Sequence, residues 1–68
     1  MKNEAQKLGK NLKRIRSEKN ITQGDIARLL GASRSFVSNT ENGKTNPTLA
    51  TITKLAKAIG TSSGELLK

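Results

Sequence analysis

The stretch SRSFVSNTENG, residues 33–43, holds the side chains best suited to specific polar recognition. Wound as a helix, it places Ser35, Ser38, Asn39 and Asn42 on one side, with Arg34 at the N-terminal edge of that face. Val37 and Thr40 fall on the opposite side, flanked by Phe36 and Glu41. Serine and asparagine are poor mid-helix residues because their side chains compete for backbone hydrogen bonds. A solvated face more often carries Lys and Glu, which favour helix and solubility. Short hydroxyl and amide groups match the donors and acceptors on major-groove base edges, and arginine can hold guanine through two bonds. Taken alone, the pattern fits a weak surface helix without any such role equally well.

Other chemistries are poorly served. The chain has no His and no Cys, so the usual general base, thiol nucleophile and zinc ligands are absent and no disulfide can form. The five carboxylates are scattered singly, and no S-x-x-K spacing occurs. These features argue against an enzyme and give no sign of a cofactor, a metal or a small-molecule ligand. Thirteen Lys+Arg against five Asp+Glu leave a net charge of +8, which attracts polyanions, nucleic acid first. A basic surface that only confers solubility fits the charge as well. An interfacial membrane helix fits less well, since Phe36 is the only aromatic residue. No apolar run approaches the roughly 20 residues of a membrane span, and no signal-peptide core is evident. The expectation is a soluble cytoplasmic protein.

The elements that must position this face are all helical. Ala5, Leu8, Leu12 and Ile15 recur at spacings of three and four, predicting an amphipathic helix from residue 5 to about 19 that ends at Asn20. Thr22 and Asp25 have the spacing of a capping box, with Asp a short substitute for the usual Glu. Ile26, Ala27, Leu29 and Leu30 then predict a short, mostly buried second helix that stops at Gly31. Ser33 caps a third helix over 34–41, closed by Asn42 and Gly43. Lys44 to Pro47 form a polar loop. Thr48 caps a fourth helix with Leu49, Ile52, Leu55, Ala56 and Ile59 on one face, and Gly60 ends it. Ser62 and Glu65 have the spacing of a second capping box before a final turn with Leu66 and Leu67. The fold class is all-α: five short helices in one compact domain, residues 1–68.

A short helix, a turn with glycine and a second helix form a helix-turn-helix unit, here about residues 22–42. The whole constellation resembles the phage repressor and Cro-type family, also called the xenobiotic-response-element or lambda-repressor-like family. Leu8-Gly9 and Leu12-Lys13-x-Ile15-Arg16 resemble its first helix. Thr22-Gln23-x-Asp25-Ile26-Ala27-x-x-Leu30-Gly31 resembles its second helix and turn. Ser33 to Ser38 followed by Glu41-Asn42-Gly43-x-x-x-Pro47 resembles its recognition helix and loop. Leu55-Ala56-x-Ala58-Ile59-Gly60 and Glu65-Leu66-Leu67 are similar to its last two helices.

The resemblance implies a sequence-specific transcriptional regulator, a repressor, bound to double-stranded DNA as a homodimer on a palindromic operator. Arg34, Ser35, Ser38 and Asn39 are then expected at base edges. Gln23, Asn42, Lys44 and Thr45 are expected at the backbone, although Lys44 fits a solvated loop cation as well. Arg16 and Glu41 are implied to pair between the first and third helices, a structural role that fixes the recognition helix. Thr40 stands where the family usually has a large apolar residue, which predicts loose packing there. Gly24 weakens the first turn of the second helix. Phe36, on the flank, fits either the core or a thymine methyl. Ile59, Leu66 and Leu67 fit either core or a dimer contact. The alternative function is an antitoxin or adaptor that uses the same fold mainly to bind protein. A toxin-binding extension, usual in an antitoxin, is not evident.

Overall fold

The computed structural model describes residues 3–68, so the first two residues of the expected 1–68 domain lie outside the described region. Five helices follow in order: α1 Glu4–Glu18, α2 Gln23–Leu30, α3 Arg34–Glu41, α4 Leu49–Ala58 and α5 Ser63–Leu67. No strand occurs among the described residues. Each helix begins with a short polar side chain that accepts a backbone N–H three residues on: Asn3, Thr22, Ser33, Thr48 and Ser62. Such caps contribute about 1 kcal/mol apiece, which matters where the helices are only five to fifteen residues long. At Thr22 the capping box is complete despite the shorter acid: Asp25 Oδ2 accepts the Thr22 N–H at 3.1 Å. At Ser62 only half of the expected box forms, because the Glu65 carboxylate turns to Lys68 Nζ at 3.2 Å.

One core joins all five helices. Leu8, Leu12 and Ile15 of α1, Ile26 and Ala27 of α2, Val37 of α3, Ile52, Leu55 and Ala56 of α4, Ile59 and Leu66 are buried together. α1 packs on α3 and α5, α2 on α3 and α4, and α4 on α5. Two leucines expected inside are outside: Leu29 is 66% and Leu49 73% exposed. At about 100° per residue, Ile26, Ala27 and Leu30 share a stripe, and Leu29 projects roughly a right angle away from its centre. Leu49 is the first residue of α4, a turn before Ile52 engages the core. Ile59 and Leu66 belong to the core, and Leu67 is partly buried.

Tertiary hydrogen bonds close the globule. Lys19 Nζ donates to the carbonyls of Ile59 and Gly60 at 2.7 and 3.0 Å, satisfying the C-terminal end of α4. Asn11 Nδ2 donates to the Leu66 carbonyl at 2.8 Å, tying α1 to α5. Asn20, beyond the α1 C-terminus, has φ 59°, and Gly31 has φ 68° in the turn between α2 and α3. Only glycine adopts that left-handed conformation without a Cβ penalty, and the turn sets the angle at which α3 leaves α2.

Candidate nucleic-acid interface

α3 has the two-sided character its sequence implies. Val37, Thr40 and Glu41 are buried, whereas Arg34, Ser35, Asn39 and Asn42 are exposed and Ser38 is half-buried. Phe36 is also half-buried and packs against the core. The expected looseness at Thr40 is not found, because Thr40 is fully buried and its polar atom is satisfied. Its hydroxyl donates to the Phe36 carbonyl at 2.7 Å and lies 3.1 Å from the Thr45 hydroxyl. With Thr40's single proton already given to Phe36, Thr45 is the donor of the second bond. The Thr45 side chain is thus engaged in holding the loop after α3 to the helix.

Three contacts fix α3 against the rest of the fold. Arg16 grips Glu41 with two bonds, Nε to Oε2 at 2.5 Å and Nη2 to Oε1 at 3.0 Å. Gln23 Nε2 donates to the same Glu41 Oε1 at 2.9 Å, so one carboxylate ties α1, α2 and α3 together. Arg16 Nη1 reaches the Ile21 carbonyl at 3.0 Å, fixing the α1–α2 loop as well. Below the pair, Gly9 lets the α1 backbone lie against the C-terminal end of α3. A Cβ at that position would stand 2.5 Å from the carbonyl oxygens of both Thr40 and Glu41. Glycine is required there by the close approach of two backbones.

Beside α3 opens a polar cavity of about 520 Å³ lined by Lys13, Arg16, Thr22, Gln23, Arg34, Glu41 and Asn42. It brings Gln23, at the start of α2, to the same place as Arg34 and Asn42 from the two ends of the α3 face. Because the Glu41 charge is met by Arg16, Lys13 and Arg34 are the cations of this cavity without a carboxylate partner among the described residues. Lys44 and Thr45 sit apart, in a second hollow of about 380 Å³ shared with Asn3, Glu4, Ala5, Gly43 and Asn46. Lys44 is exposed, and Thr45 is half-buried. Lys13 was not among the site residues expected from sequence. Its signal was present in the i, i+3 spacing to Arg16, which puts both on one face of α1. At the start of α2 the Thr22 N–H and hydroxyl, with Arg28 at 2.7 Å, hold the Asp25 carboxyl below the usual carboxylate range.

Among the described residues no group of His, Cys, Asp and Glu could hold a metal ion, and no helix is long and apolar enough to cross a membrane. Similarity to known proteins covers the same elements. A family model described as helix-turn-helix matches residues 12–66. An uncharacterized HTH-type transcriptional regulator of Sinorhizobium fredii is 40% identical over 60 residues, which make up 88% of this chain and 78% of that protein. The ImmF control region 10 kDa protein of Bacillus phage phi105 is 38% identical over 53 residues, 78% of this chain and 59% of the phage protein. In three dimensions the restriction-modification controller protein C.AhdI of Aeromonas hydrophila superposes with a TM-score of 0.85 at 37% identity, covering 91% of this chain and 94% of the other.

Proposed function

The chain belongs to the helix-turn-helix family, and on that premise we propose that it regulates transcription as a sequence-specific DNA-binding domain, acting as a repressor in the cytoplasm. The single observation that carries this reading is the exposed, uncharged polar face of α3 beside a cavity rich in cations. α3 enters the major groove, with Arg34, Ser35, Ser38 and Asn39 toward base edges. The Gln23 amide, Asn42 and Lys44 meet phosphates on either side of the groove, and Thr45 positions the loop that carries Lys44. Gln23 has a second amide proton to offer a phosphate while the first stays with Glu41. Arg16 and Glu41 act through α3 and touch no base.

The positive charge supplies salt-dependent attraction, and the α3 face supplies discrimination. A single recognition helix reads few base pairs, which supports a homodimer on a palindromic operator with half-sites about 34–36 Å apart. Residues 1–68 act as one domain in this reading. The controller and control-region proteins among the similar chains fit a regulator of this kind.

Selection of bound duplexes from a randomised pool at two salt concentrations tests the proposal. Recovery of a common, two-fold symmetric motif at both concentrations is the expected result. Binding that vanishes at the higher salt without enriching any motif overturns it and favours the adaptor function.

A further inference from the structure

The groove between α2 and α4 has a different character from the α3 face. It measures about 420 Å³ and is lined by Leu29, Leu30, Ala58 and the side chains of Lys54 and Lys57. Leu30 and Ala58 form its floor, half-buried and packed against the core. Leu29 stands at its edge with two thirds of its surface in solvent. Lys54 and Lys57 lie at i, i+3 on the exposed side of α4, and neither forms an ion pair among the described residues. Lysines so placed lay their aliphatic stems along apolar surface and hold their charges at the rim. No carboxylate lines the groove.

We propose that this groove seats an acidic amphipathic helix of another protein. Its apolar anchor rests on Leu29, Leu30 and Ala58, and its flanking carboxylates meet Lys54 and Lys57. Helix-in-groove docking needs an apolar floor with a charged rim that selects the partner, and both are present. Charge decides the occupant. A second copy of this chain, meeting the first through this same groove, would set Lys54 and Lys57 against their own counterparts and be repelled. The surface is separate from the α3 face: Leu29 lies six residues, about 9 Å along the helix, from Gln23. The groove and the polar cavity share no lining residue.

The test uses the full 68-residue chain, labelled with nitrogen-15. The probe is a synthetic peptide helix with leucines at i, i+3, i+4 and i+7 and glutamates elsewhere. The expected result is saturable amide shifts centred on Leu29, Leu30, Lys54, Lys57 and Ala58, and no binding by a control peptide with lysine in place of glutamate. Leu29→Ser is expected to weaken the peptide about tenfold. The double variant Lys54→Glu, Lys57→Glu is expected to abolish its binding, with the melting temperature of the parent retained in both. Absence of binding, equal shifts spread over Lys10, Lys13 and Lys44, or an unchanged affinity for Leu29→Ser would overturn the proposal. So would displacement of the peptide by duplex DNA with shifts at the same amides, which would place these lysines on the nucleic-acid surface.

Discussion

Replacing Glu41 by alanine tests whether the Arg16–Glu41–Gln23 cluster holds α3 in place. The Glu41 side chain is 2% exposed and the Arg16 side chain 15%, so neither group is freely solvated. Alanine removes two bonds to Arg16 and one to Gln23 and leaves a guanidinium whose remaining partner is the Ile21 carbonyl. Breaking a buried pair from one side costs about 3–5 kcal/mol. Arg16 borders the polar cavity, through which water can reach it, so we take the lower figure, about 3 kcal/mol. In a domain of this size, each kcal/mol shifts the melting temperature by about 4–8 °C, which gives a fall of roughly 12–24 °C. Total stability at this length is about 3–10 kcal/mol, so the loss takes away between about a third and all of it. Helical circular dichroism during urea and heat denaturation measures the loss. Glu41→Gln, which keeps one acceptor oxygen, should fall between the parent and the alanine variant. A loss below about 1 kcal/mol in Glu41→Ala would class the pair with ordinary surface bridges and refute the reasoning.

Further outcomes are expected on the same physical grounds. Gly9→Ala places a methyl 2.5 Å from two α3 carbonyls, so α1 and α3 must separate; a melting curve unchanged from the parent would show that they have room. Because Asp25 is depressed in the folded state, its stabilisation is complete above the ordinary aspartate pKa of about 4 and is lost as pH falls through the lower folded value. The stability gap between the parent and Asp25→Asn should therefore be widest near neutral pH and close in acid, as thermal melts across pH will show. Arg34→Ala should cost about 1–3 kcal/mol on cognate DNA and relax preference at one base position, and equal losses on a scrambled duplex would reduce Arg34 to a phosphate contact. Lys44→Ala should weaken both duplexes alike and flatten the salt dependence of binding, read from titrations at several ionic strengths.

Much of this architecture was legible in the sequence. Four of the five helices start at the caps expected, Thr22, Ser33, Thr48 and Ser62, short polar residues whose preference for caps is a local property of the backbone, whereas the Asn3 cap of α1 was missed. The division of α3 into a packed side and a polar side followed from helical period alone. Errors arose where exposure depends on neighbours from another helix. Leu29 and Leu49 are apolar and close to the core stripe, yet no helix covers them, so hydrophobicity without a partner misplaced them. Thr40 was expected to leave packing loose, but its hydroxyl is answered by a carbonyl one turn back and by Thr45 across the loop.

The sequence by itself determined the all-helical class, four of the five helix starts and the chemistry on the α3 face, because capping and periodicity act over three or four residues. Only the tertiary structure decided that Gln23 shares Glu41 with Arg16, that Gly9 lies under the end of α3, and that Lys13 joins Arg34 at one cavity. Those placements depend on the angles at which short helices cross, and crossing angles are set by the packing of the whole core, which no local pattern encodes.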